Sequence, residues 1–244
     1  MYLLICLFTF VELNCENLFD TQHDSLKHDE EFLPTSAMHW TPSRYWHKLN
    51  RIGQDILSCG ELDSTKVIPD MVVLTEVEND SVMRDLTKRS LLRNAGYEYV
   101  MTDSPDERGI DVALLYSPFS FALIGYHAIR IMPMKGFRPT RDILYACGQL
   151  ISGDTLHVFA VHAPSRRGGE QVSRPYRLKV INRLLQSVDS VRALSPQARI
   201  IIAGDFNDYS SDPTLQLLVR HGLVEVSEKA QGSHGAKGTY RYHG

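Results

Sequence analysis

The stretch Ile200–Asp208 constrains the fold of this chain most strongly, because it changes abruptly from apolar to polar. The run Ile200–Ala203 is apolar and rich in β-branched residues, which predicts a strand buried on both faces. In an extended chain, residues two apart project to the same side, so we expect Asp205 and Asn207 to project together at the strand end. Such a pair can orient a water, ligate a hard cation and donate to a phosphoryl oxygen, whereas an Asx-rich turn is the purely structural alternative.

Length and composition favour one globular domain over residues 1–244. The chain has 43% hydrophobic and 23% charged residues, and no repeat or low-complexity linker divides it. Its formal net charge of -3 argues against a broad basic surface that holds long nucleic acid, although a local basic cleft stays open. Four cysteines without close spacing indicate neither a zinc site nor a redox motif.

The apolar segment Met1–Phe8 leaves the compartment open. It lacks a basic start and a small-residue cleavage site and runs into the first predicted strand, so we expect it to be mostly strand. If it is instead the remnant of a signal segment, the protein is exported; otherwise it is cytoplasmic. No apolar run is long enough to span a bilayer, so stable membrane insertion is not expected.

Alternation and periodicity predict a series of strands and helices. The predicted strands are 8–13, 69–74, 97–101, 112–116, 119–131, 143–151, 155–162, 200–203 and 238–242. The predicted helices lie between the Thr41 cap and Gly60 and at 82–95, 175–193 and 215–220. We expect strand 112–116 to pair antiparallel with 119–131, and 143–151 with 155–162. Such hairpins, alternating with strand–helix–strand units, predict mixed sheets in an α/β (α+β) domain.

Polar residues of catalytic type follow four of the predicted apolar strands. These residues are Asn14, Glu76, His162 and the pair Asp205 and Asn207. If their strands are neighbours, the four ends converge on one rim, which is where ligands bind in sheet-based proteins.

Each of these side chains also has an ordinary structural explanation. Glu76 suits a hard divalent cation at the floor of a cleft, or the first turn of a helix. Asn14 suits a carboxamide ligand or a residue that fixes Glu76, with an Asx-turn as the structural alternative. A lone His162 is more often a hydrogen-bonded core residue, but the following Arg166, Arg167 and glycines suit a phosphate.

Five motifs, in their order and spacing, resemble the endonuclease/exonuclease/phosphatase family, which is the deoxyribonuclease I-like superfamily of metal-dependent phosphoesterases. They are Asn14 in Leu-Asn-Cys-Glu-Asn-Leu-Phe-Asp, Glu76 in Leu-Thr-Glu-Val, the tract Gly109–Tyr116, His162 in Val-His-Ala-Pro-Ser-Arg-Arg-Gly-Gly, and Gly204–Asp208. The tract Arg138–Asp142 and the Ser-Arg-Arg-Gly-Gly loop are most similar to the bacterial, largely uncharacterised branch. The resemblance covers nearly the whole chain. It implies a four-layer sandwich of two mixed β-sheets with outer helices.

The resemblance also implies a reaction and its residues. We expect Mg²⁺-dependent hydrolysis of a phosphodiester, with Mn²⁺ as the other candidate metal. Glu76 and Asn14 would hold the metal and Asp205 would activate the water, while Asn207 and His162 would donate to the phosphate. Secondary candidates for framing the substrate, for which surface solvation is the alternative, are Arg108, Asp111, Arg141, Arg166 and Arg167.

Several alternatives stay open from sequence alone. The substrate is a phosphate ester, with nucleic acid as one candidate and a sugar, inositol or lipid-headgroup phosphate as the others. An inactive phosphate-binding homologue is the non-enzymatic alternative, because family members normally finish with an Asp-His pair that this chain lacks. His243 follows Tyr242 instead, and Gly238–Gly244 resembles the approach to the missing motif. We therefore expect a C-terminally truncated domain that lacks its last strand or strands.

Overall fold

A computed structural model describes residues 8–62 and 65–227. The strands are β1 (Phe10–Leu18), β2 (Glu61–Leu62), β3 (Thr65–Lys66), β4 (Met71–Val77), β5 (Glu98–Met101), β6 (Asp111–Tyr116), β7 (Phe121–Ile129), β8 (Ile143–Leu150), β9 (Thr155–His162) and β10 (Arg199–Asp205). The α-helices are α1 (Pro42–Ser58), α2 (Asp80–Arg84), α3 (Glu170–Leu194) and α4 (Pro213–Arg220). The predicted strand 238–242 and the region of the expected Asp-His pair lie outside the described residues.

Two four-stranded mixed sheets form the centre of the molecule. The first has the strand order β1-β4-β6-β5 and the second β10-β9-β8-β7. Strands β1 and β4 are parallel, as are β9 and β10, while the remaining neighbours in both sheets are antiparallel. Helix α1 covers the outer face of the first sheet and α3 that of the second. The predicted four-layer sandwich is therefore confirmed.

Three apolar layers hold these elements together. Val73 and Val158 pack between the sheets, Leu74 and Leu49 between the first sheet and α1, and Phe159 lies beneath α3. Neighbouring residues of β4 thus enter different layers, because successive side chains on a strand point to opposite faces. This strand is inside its sheet and covered on both sides, which explains its continuous apolar run.

One predicted hairpin is confirmed and another is wrong. Strands β8 and β9 pair antiparallel around Ser152-Gly153-Asp154, as expected. The expected pairing of 112–116 with 119–131 does not occur, because β6 lies in the first sheet and β7 pairs with β8 in the second. The short link that contains Ser117-Pro118 crosses between the sheets. The Phe121 ring packs edge-on against the Tyr116 ring, with 5.6 Å between the ring centroids. Alternation shows which face of a strand is apolar but does not identify its neighbour.

Two further expectations need correction. The helix expected over 82–95 is broken: α2 ends at Arg84, and a wider turn and a 3₁₀ turn follow. Ser90 interrupts the helix because its hydroxyl accepts from the Leu92 N–H and starts a new turn. Strand β10 was expected to be buried on both faces, yet it is the outer strand of the described sheet and its apolar residues are half-buried. Across the described residues, no helix has the length and apolar character needed to cross a bilayer.

Candidate active site

The four predicted strand ends meet on one rim of the sandwich. The Asn14 side-chain amide donates to Asp205 Oδ2 at 3.0 Å, which joins β1 to β10 across the two sheets. His162 Nε2 lies 3.7 Å from Glu76 Oε1, which brings β9 and β4 together at the same place. Asp205 is also the register partner of His162 in the second sheet. Four segments that are distant in sequence therefore converge, and Asn207 lies two residues beyond Asp205 in one of them.

A distorted strand end aims Glu76 at this rim. The register of β4 against β6 shifts between Thr75 and Val77, and Glu76 has a φ of 60°. A left-handed conformation at a non-glycine residue is uncommon, and bulges of this kind often redirect a side chain beside a functional site. The Glu76 side chain is 16% exposed and makes no hydrogen bond within the described residues. Its carboxylate oxygens are thus available to a ligand.

The Gly204–Asn207 turn holds Asp205 in a defined orientation. Gly204 has a φ of 138°, and a Cβ at this position would lie 1.8 Å from the carbonyl oxygen of Val161. Asp205 Oδ1 accepts from the Asn207 N–H at 2.8 Å, and the Asn207 side-chain amide donates to Ala163 O at 3.1 Å. Asn207 has a φ of 52°, so it leaves the extended chain. The contact between Asp205 and the Asn207 backbone therefore arises from the turn and not from the strand alternation that was predicted.

His162 is a neutral imidazole at the floor of the rim. Its side chain is 2% exposed, and Nδ1 has no hydrogen-bond partner in the described part of the chain. Burial, followed by the charges of Arg141 and Arg108, lowers the pKa of His162 well below its ordinary value. At neutral pH the ring therefore carries a single N–H and no net charge.

The predicted substrate-framing arginines divide into two pairs, and the first pair is engaged by the protein itself. Arg141 is buried, with Nη1 3.2 Å from Asp106 Oδ2, and it donates from Nη2 to Ala163 O at 2.9 Å. This carbonyl is the one that accepts from Asn207. Arg166 forms ion pairs with Asp208, at 3.1 Å, and with Asp212. Arg141 and Arg166 thus hold the loops of the rim in place.

The second pair is more open to solvent. The Arg108 side chain is 42% exposed, and its Nε lies 3.7 Å from Asp106 Oδ1. Arg167 is exposed and makes no ion pair within the described residues. These two guanidinium groups retain donors that can contact a bound anion.

Asp111 lies in the wall behind the rim. It is buried at the start of β6, accepts from the Thr102 hydroxyl at 2.5 Å and from the Ser104 N–H at 3.0 Å. Burial raises the pKa of Asp111 against the opposing effect of these hydrogen bonds. The Ser104 hydroxyl also accepts from the Asp142 N–H at 3.0 Å. Asp111 therefore supports the loop beside Arg141, and its oxygens are occupied by protein donors.

Two groups at the site were not assigned roles from the sequence. Glu12 precedes Asn14 by two residues on β1. The residue as a whole is exposed, but desolvation of its carboxyl group and the Asp205 charge raise its pKa to about 7. A charged residue inside an apolar strand was the signal that could have revealed it. Arg177 Nε lies 2.8 Å from Asp208 Oδ1, with both side chains 1% exposed. This buried pair anchors the turn after Asn207 to α3.

The side-chain oxygen atoms at the rim are suitable ligands for a magnesium ion. No three His, Cys, Asp or Glu side chains in the described part of the chain form a ready-made metal cage. Mg²⁺, however, is usually held by one or two carboxylates with waters and substrate phosphates. Glu76 offers free carboxylate oxygens. The side-chain oxygen Oδ1 of Asn14 accepts from the Glu16 N–H at 2.8 Å and retains a second lone pair.

Comparison with known proteins identifies the class. Residues 9–234 match the model of the endonuclease/exonuclease/phosphatase family. The chain belongs to this family, and family membership supports a phosphoric ester hydrolase. No curated protein matches the sequence significantly.

Solved structures with the same fold are distant in sequence. The human nocturnin catalytic domain with bound sulfate aligns with a TM-score of 0.55 at 19% identity, over 71% of this chain and 61% of that one. A D. rerio TDP2 humanized by 14 mutations aligns with a TM-score of 0.53 at 19% identity, over 72% of this chain and 65% of that one. An endonuclease/exonuclease/phosphatase family protein from Bacteroides thetaiotaomicron aligns with a TM-score of 0.59 at 13% identity, over 88% of this chain and 69% of that one. The alignments thus span less than two thirds of the nocturnin and TDP2 chains.

Proposed function

We propose that this chain hydrolyses a phosphodiester in a Mg²⁺-dependent reaction, by in-line attack of water. The observation that carries the proposal is the hydrogen bond of 3.0 Å from Asn14 to Asp205, with Glu76 and His162 beside it on the same rim. It brings a water-activating carboxylate next to the donors that suit a hard cation. Mn²⁺ suits the same oxygen donors.

Glu76 and Asn14 would hold the metal. When bound, Mg²⁺ neutralises charge on the phosphoryl and leaving oxygens. The bulge at Glu76 contributes by presenting a carboxylate that needs no rearrangement to bind. Asn14 contributes by contacting Asp205, so that the ligand set and the base keep a constant separation.

Asp205 acts as the general base. Both of its oxygens already accept one hydrogen bond, from Asn14 and from the Asn207 N–H, and this fixes the plane of the carboxylate. Each oxygen retains a lone pair, so one can accept a proton from the attacking water. A base held in this way contributes to the rate through orientation as well as proton transfer.

Asn207 and His162 stabilise the charge that develops on the phosphate. One N–H of the Asn207 amide is engaged by Ala163 O, and the second is available to a phosphoryl oxygen. His162 donates as a neutral imidazole, because burial and the nearby arginines hold its pKa well below the ordinary value. Arg108 and Arg167 contact the outer oxygens of the substrate.

A metal and substrate screen tests this proposal. Bis-p-nitrophenyl phosphate, a DNA oligonucleotide and a phosphoinositide are each incubated with Mg²⁺ and with EDTA. We expect hydrolysis of bis-p-nitrophenyl phosphate and of the oligonucleotide, which EDTA abolishes and Mg²⁺ restores. Replacement Asp205→Ala should lower kcat by about 100-fold or more, whereas Asp55→Ala, at an exposed position of α1, should leave it unchanged.

Four outcomes contradict the proposal. Hydrolysis that is insensitive to EDTA excludes the metal, and wild-type activity of Asp205→Ala excludes the base. Preferential release of phosphate from the phosphoinositide assigns a phosphatase instead. Metal binding by calorimetry without turnover of any substrate assigns a phosphate-binding homologue.

A further inference from the structure

A basic pocket lies on α1 beside the active site. Arg44, His47, Lys48 and Arg51 follow one another at helical spacing, so that they project from one face of the helix. Together with Trp40 and Ser43 they line a pocket of about 370 Å³. We refer to this set of six residues as the α1 pocket.

The basic side chains of the α1 pocket form no direct ion pairs in the described part of the chain, although the charges of Glu16 and Glu76 act on Lys48 from a longer distance. Arg44 donates instead to the carbonyl oxygens of Met38 and His39, and Lys48 donates to Asn17 O at 2.9 Å. Carbonyl acceptors orient a cation but leave its net charge intact. The pocket therefore retains its attraction for an anion.

Trp40 holds two of these cations side by side. Its ring centroid lies 5.7 Å from the Arg44 guanidinium carbon and 5.6 Å from Lys48 Nζ. The ring is 7% exposed, and its indole N–H donates to Phe19 O at 3.0 Å, which fixes its position. Cation–π contacts and a rigid ring limit the motion of the two long side chains. The entropy lost when an anion binds is correspondingly smaller.

The α1 pocket is connected to the rim of the candidate site through the end of β1. Lys48 donates to the carbonyl oxygens of Glu16 and Asn17, and the Glu16 N–H donates to Asn14 Oδ1 at 2.8 Å. Glu16 and Asn17 have φ values of 51° and 64°, so β1 bends sharply here and its carbonyls face α1. Two successive hydrogen bonds, through Glu16, thus link the proposed metal ligand Asn14 to Lys48 on the basic face of α1.

We propose that the α1 pocket is a second phosphate subsite, which holds the sugar–phosphate backbone of a nucleic-acid strand whose scissile phosphate lies on the rim. This inference rests on the proposed function and specifies its substrate class. The stripe from Arg44 to Arg51 is about 10 Å long at 1.5 Å per residue. A stacked strand carries one phosphate per about 3.4 Å, so the stripe can contact more than one phosphate.

The chemistry of the pocket favours backbone contact without sequence readout. Guanidinium and ammonium groups pair with phosphate oxygens through charge, whereas a sequence-tolerant stacking contact needs an aromatic ring with an accessible face. Trp40 is the aromatic ring of the pocket, and its burial keeps it from stacking on a base. The overall charge of -3 makes this pocket a local attraction on an otherwise slightly acidic chain.

The test is the salt dependence of oligonucleotide binding in EDTA, measured by anisotropy of a labelled single-stranded DNA. The variant R44Q/R51Q is compared with K179Q/R183Q, which removes the same charge from α3 on the opposite layer. We expect R44Q/R51Q to weaken binding about tenfold and to make the slope of log K against log salt shallower by roughly 1.4, or 0.7 per lost phosphate contact. The control should keep the wild-type slope.

A variant that keeps the charge and a second ligand complete the test. R44K/R51K should recover most of the affinity and slope, because lysine keeps the charge, and it separates charge loss from misfolding. Equal losses in R44Q/R51Q and K179Q/R183Q, or an unchanged slope, overturn the inference. Binding to phosphoinositide vesicles, and not to DNA, that depends on Arg44 and Arg51 overturns the assignment to nucleic acid.

Binding in EDTA separates this inference from the proposed hydrolysis. If the chain shows salt-dependent DNA binding through Arg44 and Arg51 but hydrolyses nothing, the proposed function fails and the subsite stands. If the wild type hydrolyses diesters and R44Q/R51Q binds DNA like the wild type, the proposed function stands and the subsite fails.

Discussion

The side chains of Asn14 and Asp205 are joined by a hydrogen bond of 3.0 Å, although 191 positions separate them in sequence. One residue belongs to each sheet, so the bond closes the sandwich at the rim where Glu76 and His162 also lie. The contact ties the proposed metal ligand to the proposed base. Its loss should affect turnover more than folding, because it lies at the half-buried edge of the core.

Replacement Asn14→Ala tests this link. It removes the donor that orients Asp205 and one ligand of the proposed metal, so we expect kcat to fall by about 100-fold. The apparent affinity for Mg²⁺ should fall as well, which a metal titration of the rate measures. The matched control is Asn50→Ala, which deletes a half-buried amide whose oxygen accepts from the Leu91 N–H at 3.1 Å. Equal activity of the two variants would contradict the role of Asn14.

Gly204 is predicted to tolerate no side chain. A Cβ there would lie 1.8 Å from Val161 O, so Gly204→Ala must separate β10 from β9. We expect a loss of more than about 3 kcal/mol in the free energy of unfolding, combining steric overlap with backbone strain. The control Gly153→Ala also has a positive φ, of 87°, but its Cβ would meet no atom within 4 Å. It should cost only about 1–2 kcal/mol by urea denaturation; similar losses for the two variants would contradict the packing argument.

The buried pair of Arg177 and Asp208 is predicted to be a major determinant of stability. With the two charges 2.8 Å apart and each side chain 1% exposed, Arg177→Met leaves the Asp208 carboxylate in a dry environment with fewer partners. We expect a loss of about 3 kcal/mol, seen as a lower urea midpoint. The control Arg199→Met breaks an exposed pair with Asp154 at 3.2 Å and should cost less than about 1 kcal/mol. If Arg177→Met lowers the free energy of unfolding as little as the control does, water or rearranged side chains replace the lost partner of the Asp208 carboxylate.

The active-site rim could be predicted from sequence because its signal is local. Glu76 and His162 each follow an apolar run, and parallel neighbours bring such strand ends to the same edge. Glu12 receives no role from the sequence because it lies inside the predicted strand 8–13 and not at its end. Its proximity to Asp205 depends on how the two sheets pack together, and a local sequence pattern carries no information about that packing.

The partners of long side chains could not be predicted for a different physical reason. Arg141 and Arg166 lie in motifs typical of phosphate contact, but each bonds to protein acceptors in a neighbouring loop. Flexible side chains select partners in space, so their sequence neighbours carry little information about the outcome. The false pairing of 112–116 with 119–131 has the same origin, since a two-residue link permits a hairpin or a crossing between sheets.

The stability of the protein is predicted to decline between weakly acidic and weakly basic pH because of Glu78. This residue is 8% exposed and accepts from the Asp20 N–H at 2.7 Å. Desolvation, with contributions from nearby aspartates such as Asp20, raises the pKa of Glu78 from its ordinary 4.5 to about 8. The unfolded chain loses this proton near pH 4.5 and the folded chain only near pH 8, so folding opposes ionisation across that window. The contribution of the protonated form to stability is complete below pH 4.5 and is lost as the pH rises through about 8.

Replacement Glu78→Gln keeps a neutral acceptor for Asp20 and removes the titration. We expect the variant to match the wild type at about pH 4.5 and to exceed it at about pH 8, by on the order of 2 kcal/mol. Urea unfolding in EDTA, which keeps metal binding out of the comparison, measures the difference. The control is Glu31→Gln, at an exposed carboxylate, which should follow the wild-type curve at every pH. Parallel curves for Glu78→Gln and the wild type would mean that Glu78 is already ionised in the folded protein at pH 5, and that the Asp20 N–H outweighs its desolvation.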